Sequence, residues 1–243
     1  MSDEGHPEPD RIEGAPHPRD TARLIGQETA EAAFLDAHAA GRLHHAWLLT
    51  GPRGVGKATL AWRIARFLLA TPEEPGGGLF GDPAPPPATL DIAPDHPVAR
   101  RIHAGSEPRL FLLRRAWDED KKRLKTVITV DEVRRMKSFL QLSSTDGGRR
   151  AVIVDPADEM NTAAANALLK MLEEPPQGVT FLLISHQPSR LLPTIRSRCR
   201  ELRLTTLLPD DLTAAMAAAG ADTGNGDALA ALAGGSVSEA IRL

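Results

Sequence analysis

The sequence predicts an α/β fold, a parallel sheet flanked by helices, followed by a small all-helical domain. Three observations carry this expectation. Short apolar runs alternate with helix-period segments up to about residue 205, the order that builds parallel βαβ units. A glycine-rich loop ending in Lys57 separates one such run from the helical segment after it. Beyond Pro209 the chain turns Ala-rich and strand-like runs cease, so a domain boundary is expected near residue 206.

The elements follow in order. Residues 1–20 are rich in Pro, Gly, Asp and Glu and almost free of apolar side chains, which predicts a disordered tail. Over 27–41, Ala30, Ala33, Phe34 and Ala37 fall at helical spacing and Gly41 terminates the segment. Residues 46–50 read as a buried strand, and 58–70 as a helix with Leu60, Ile64, Phe67 and Leu68 along one side. The stretch 71–97 holds a large share of the chain's 20 prolines and 20 glycines and reads as an insertion. Residues 110–113 and 126–130 are expected as strands on either side of a charged loop.

A helix from Asp131 would turn Val133, Met136 and Leu140 inward and Arg134, Arg135 and Lys137 outward. Gly147 and Gly148 mark a turn before a β-branched run ending in Asp155, the pattern of a central parallel strand. Asn161 is placed to cap the next helix, whose apolar face is Ala165, Leu168, Leu169 and Leu172, and Pro175 and Pro176 stop it. Residues 179–185 read as a buried strand, 191–198 as a short helix, 200–204 as the last strand, and 211–219 and 227–233 as helices.

Composition excludes several classes. With 42% hydrophobic and 25% charged residues the chain is neither collagen-like, mucin-like nor wholly disordered. Six Phe, three Trp and no Tyr argue against an aromatic platform for single strands. A net charge of −3 confines any DNA contact to a local patch, for which Arg134, Arg135 and Lys137 are candidates. Cys199 is alone, so neither an intrachain disulfide nor a four-cysteine zinc site can form, and no zinc is expected. The acidic N-terminus and the lack of a long apolar run predict no membrane contact and a cytoplasmic location.

The chemistry concentrates at Gly51-Pro-Arg-Gly54-Val55-Gly56-Lys57, which fits G-x-x-x-x-G-K. Glycines let the backbone curl so that successive N–H groups converge on phosphate oxygens, and the following helix aims its positive end at the same point. Lys57 adds a charge for the outer phosphates. The position after the lysine is Ala58, where Ser or Thr would hold Mg²⁺. Thr59 follows, but one helical residue rotates its hydroxyl by roughly 100°.

Asp155 is a Walker-B-type carboxylate able to hold magnesium through water. Pro156 follows it, where a water-orienting Glu would be needed. Asp158 and Glu159 read as charges capping the next helix. These residues together predict weak ATP or ADP binding, compromised Mg²⁺ positioning and poor turnover. The competing reading is an active ATPase motor using Lys57 and Asp155. Adjacent His44 and His45 at a strand entry are expected on opposite sides, as packing and hydrogen-bonding residues rather than a metal pair.

Beyond the phosphate loop, four further segments resemble bacterial clamp-loader AAA+ subunits: Leu24-Ile-Gly-Gln-Glu28, Gly41-Arg-Leu-His-His-Ala-Trp47, the stretch from Asn161 to Pro176, and Ser197-Arg-Cys199. The resemblance implies a RecA-like AAA+ domain over 21–205 and a helical lid over 206–243, incomplete and without the family's C-terminal collar. Within the family the likeness is to the stator type of subunit, whose nucleotide site is degenerate. It further implies Arg198 as an arginine finger acting in trans on a neighbour's ATP. The implied partners are gamma/tau and delta subunits in a hetero-oligomeric ring, with the sliding clamp and primer-template DNA met through the complex. Departures are the lack of the zinc module in 71–97, Ser185-His186 at a sensor position, and Ser238 where hydrolysing relatives carry a lid arginine.

Overall fold

The chain is described by a computed structural model covering residues 7–21, 23–71, 87–141, 148–223 and 226–243. A five-stranded parallel sheet forms its centre. The strands are β1 (Ala46–Thr50), β2 (Leu110–Leu113), β5 (Arg150–Val154), β6 (Val179–Ile184) and β7 (Arg200–Arg203), in the order β2-β5-β6-β1-β7. A separate antiparallel hairpin joins β3 (Trp117–Asp118) to β4 (Arg123–Leu124).

Both faces of the sheet are covered, as parallel sheets require. Alternating side chains of the central strands go to opposite sides. On one face, Trp47, Leu49, Ile153, Leu182 and Ile184 pack against α1 (Glu28–Ala39) and α2 (Lys57–Ala70) through Phe34, Leu60 and Ile64. On the other, Leu48, Val152, Val154, Phe181 and Leu183 meet α4 (Val130–Gln141) and α5 (Thr162–Glu173) through Val133, Met136, Leu168 and Leu172. Asn161 caps α5 as expected, its side chain accepting from the Ala164 N–H at 2.9 Å. Five further helices, α3 (Pro97–His103), α6 (Pro193–Arg196) and the lid trio of α7 (Pro209–Ala218), α8 (Gly226–Ala233) and α9 (Val237–Arg242), are present among the described residues.

Several expectations are corrected. Residues 126–130 form no strand: Ile128 makes one isolated bridge to Met160 and α4 begins at Val130. The reason is local. Glu132 reaches back to accept from the Thr129 N–H at 2.8 Å and from its hydroxyl, half of a capping box that starts the helix. The charged stretch read as a loop forms the β3–β4 hairpin. Residues 7–20, expected to be a disordered tail, pack against the body, with His17 buried. Their anchors are ion pairs and an aromatic contact, which composition does not register. Much of the 71–97 insertion and Gly147 lie outside the described residues.

His44 and His45 do not diverge; their rings stack with centroids 4.4 Å apart. They precede β1, so strand alternation does not govern them. Each still bonds to backbone, His44 to Ala46 at 2.8 Å and His45 to Leu172 at 3.1 Å. Arg134 and Arg135 pair with Asp131 and Glu132 of their own helix at 2.8 and 3.0 Å, while Lys137 is exposed.

Candidate phosphate-binding site

The loop from Gly51 to Gly56 leaves the C-terminal end of β1 and turns into α2, the place where open parallel sheets bind ligands. Two of its glycines are required by their neighbours. Gly51 sits at φ +136°, and a Cβ there would run into the Leu204 carbonyl. Gly54 sits at φ +72°, and a Cβ would collide with the Ser236 and Ser238 hydroxyls. Those serines belong to the N-terminal end of α9, and the Val237 N–H donates to the Gly54 carbonyl at 2.9 Å. The lid is therefore seated directly on the phosphate loop.

Gln27 secures the loop from below. It is 3% exposed, and its Nε2 donates to the Val55 carbonyl at 3.1 Å and the Thr205 carbonyl at 2.7 Å. Lys57 is equally buried at 3% exposure. Its Nζ donates to the Gly51 carbonyl at 2.6 Å and to that of Pro52. Burial holds its pKa down at about 8, against the pull of Asp155 and Asp158. The ammonium meant for outer phosphates is thus engaged with the loop's own carbonyls.

Asp155, at the end of β5, is 6% exposed. Burial, assisted by the charges of Asp10 and Glu159, pushes its pKa up to about 7; Lys57 and Arg114 oppose the shift. Its backbone N–H donates to Leu113 at 2.9 Å, tying it to the neighbouring strand. Asp158 and Glu159 do not cap α5. Asp158 accepts from the His186 N–H at 2.9 Å, and Glu159 pairs with Arg115 at 2.8 Å and Arg53 at 3.9 Å. Burial, with Lys57 and Arg53 close by, lowers the His186 pKa to about 4, so its ring is neutral at physiological pH. Its Nδ1 is buried with no hydrogen-bond partner among the described residues.

Gly54, Val55, Gly56, Lys57, Ala58, Thr59 and Asp155 all line one cavity of about 300 Å³. Arg53, Arg115, His186 and Ser238 join them, as do residues of the N-terminal segment and of α7 and α9. Gly51 shapes the loop without lining the cavity. Arg198 lies elsewhere, after α6, with Nη2 2.9 Å from Glu173 and Nη1 donating to the Thr194 carbonyl at 3.0 Å.

The loop's backbone curl, the cations and the unpaired His186 nitrogen suit a phosphate group. Magnesium fits poorly. Ala58 offers no side-chain oxygen, and Asp155 is a buried carboxyl whose pKa burial raises. Among the described residues no helix is long and apolar enough to cross a membrane. Sequence reasoning missed the contribution of residues 9–18 to this cavity, because their attachments lie about a hundred positions away along the chain, as with Asp10 and Arg114.

Comparison with known proteins adds to this picture. A family described as "DNA polymerase III, delta subunit" matches residues 26–207. The DNA polymerase III subunit delta' of Pseudomonas aeruginosa is 41% identical over 155 residues, covering 64% of this chain and 41% of the relative. The gamma/tau subunit of Mycobacterium tuberculosis is 30% identical over 207 residues, covering 82% of this chain and 31% of the relative. The chain thus spans less than half the length of these curated relatives. Among solved structures, the RuvB Holliday junction branch migration motor of Thermotoga maritima superposes with a TM-score of 0.51 at 18% identity, over 93% of this chain and 63% of that one. That likeness concerns the fold alone, a parallel five-stranded sheet flanked by helices with a helical C-terminal portion.

Proposed function

Because the chain belongs to the DNA polymerase III delta-subunit family, we propose that it serves DNA replication as a clamp-loader stator: a subunit that positions others rather than driving the motor. The observation that carries this reading is at Lys57. Its ammonium is buried on the carbonyls of Gly51 and Pro52, and Ala58 beside it lacks the hydroxyl that would anchor Mg²⁺. Pro156 after Asp155 supplies no base for an attacking water. ATP or ADP binds weakly here, held by backbone N–H groups and the helix end of α2, and little hydrolysis follows.

The partners in this reading are gamma/tau and delta subunits in a hetero-oligomeric ring. Clamp and primer-template DNA are met through that ring. Likeness to both delta' and gamma/tau relatives supports a place among subunits of related fold. Arg198 belongs to the same proposal as a finger reaching a neighbour's ATP, since a planar, permanently charged guanidinium suits charge developing on a transferring phosphoryl group.

Calorimetric titration with ADP and ATP, with and without magnesium, tests the reading alongside a phosphate-release assay. The expected result is weak binding that barely depends on magnesium, and turnover far below roughly 1 per second. Turnover at that rate, or strong magnesium dependence, returns the ATPase-motor reading.

A further inference from the structure

The phosphate-loop chemistry makes no use of residues 8–20, yet they are firmly held. The Asp10 side chain is 1% exposed, and its carboxylate accepts from the Arg114 guanidinium. Its other oxygen lies 3.1 Å from His17 Nε2. Glu8 adds contacts to Arg114 at 3.4 Å and to Arg19 at 3.1 Å. The His17 ring stands edge-on to Trp62 of α2, centroids 5.7 Å apart, and Arg66 of the same helix donates to the Arg19 carbonyl.

At its middle the segment lies beside the lid: a Cβ on Gly14 would come within 3.3 Å of Ile241 Cγ2 of α9, and Ile241 lines the same cavity as Ile12 and Ala15. It is therefore fastened to the sheet domain at α2 and at the end of β2, and it reaches the lid at α9. Between these points Asp10, Ile12, Ala15 and Pro16 wall the cavity that holds Lys57 and Asp155. Arg114 follows Leu113, whose carbonyl accepts from the Asp155 N–H, and its charge acts on Asp155, while its neighbour Arg115 lines the cavity itself.

We propose that residues 8–20 form a strap closing the nucleotide cavity, latched by Glu8 and Asp10 on Arg114, and that nucleotide enters only when the latch opens. This rests on the nucleotide reading above. A site that is competent in only a fraction of molecules binds with an affinity reduced by that fraction. Removing one partner of a buried ion pair strongly weakens the closed state. Breaking the latch therefore tightens apparent binding, whereas a strap that contributed contacts to the ligand would weaken it when released.

The experiment titrates ADP by calorimetry into the full chain, wild type and with Asp10→Asn, Arg114→Gln or both, and follows amide hydrogen exchange at Ala15 and Asp20. Both single variants should bind ADP about fivefold more tightly or better, with faster exchange along the strap. The double variant should bind no more tightly than the stronger single one, because one latch breaks only once. Glu8→Gln, at the outer edge of the latch, should shift affinity in the same direction and serves if Asp10→Asn fails to fold. Equal or weaker ADP binding with accelerated exchange overturns the strap alone. Absence of ADP binding to every chain at millimolar concentration overturns the nucleotide reading and the strap with it.

Discussion

Gln27 and Thr205 bond each other in both directions: Gln27 Nε2 donates to the Thr205 carbonyl at 2.7 Å, and Gln27 Oε1 accepts from the Thr205 N–H at 3.2 Å. Nε2 also serves the Val55 carbonyl. One buried amide thus joins the phosphate loop to the connection between β7 and the lid. The lid in turn rests on Gly54 through Val237. Loop, connection and lid form a closed mechanical circuit with Gln27 as one of its joints.

Gln27→Leu keeps the size of the side chain but leaves three backbone groups without their partner. At roughly 1 kcal/mol for each lost bond, the unfolding free energy should fall by about 2–3 kcal/mol. Urea denaturation measures it. A loss below about 0.5 kcal/mol would mean that water or a neighbour replaces the amide, and the joint would be unimportant.

Asp155 gives a pH signature. Its carboxyl ionises near its ordinary 3.8 when unfolded and at about 7 when folded, chiefly because of burial. Between those values the native state holds a proton that the unfolded state has released, so this group's contribution to stability falls as pH rises from about 4 to about 7 and is flat above. His186 works in the opposite sense over much of that window, since its folded pKa is lowered to about 4. The difference between variant and wild type isolates the aspartate. Asp155→Asn should be near wild type at pH 4 and more stable above pH 7, by an amount on the order of 3–4 kcal/mol. Paired melts across the range check it; an Asp155→Asn advantage that does not grow with pH contradicts the assignment.

What the sequence makes legible is the chemistry that depends on near neighbours. The phosphate loop, the Asn161 cap and the fully buried runs at β1, β5 and β6 need only a few adjacent residues to be recognised. The misread strand at 126–130 shows where local patterning is ambiguous. Ile128 is buried and Val127 exposed, an alternation that a strand would share. The deciding feature is the pair Thr129 and Glu132, which was visible as T-x-x-E and starts a helix. The strap was illegible for another reason. Its stability comes from Asp10 meeting Arg114 and His17 meeting Trp62, contacts that exist only after the sheet has formed. Ser238 belongs with it: in sequence it marks an arginine that is missing, and in the fold it is the hydroxyl packed where a Gly54 side chain would go.

Arg198 carries the last prediction. Its guanidinium is held by Glu173 at 2.9 Å and by the Thr194 carbonyl at 3.0 Å, on a side chain that is 36% exposed. A half-exposed pair of this kind contributes little to stability, so Arg198→Ala should change the unfolding free energy of this chain by less than about 1 kcal/mol. Its ADP affinity should also be unchanged, because Arg198 is not among the residues that line the cavity. The effect is expected elsewhere. In a loader reconstituted with ATPase subunits, the variant should lower DNA-stimulated hydrolysis at the one site it serves by a factor on the order of a thousand, and the total rate by less, since other sites keep their own arginines. Glu173→Gln is the matched control: it removes the resting partner but keeps the guanidinium, so hydrolysis should stay near wild type. A loader carrying Arg198→Ala that hydrolyses ATP at the wild-type rate would leave this arginine as a surface charge paired with Glu173 and nothing more.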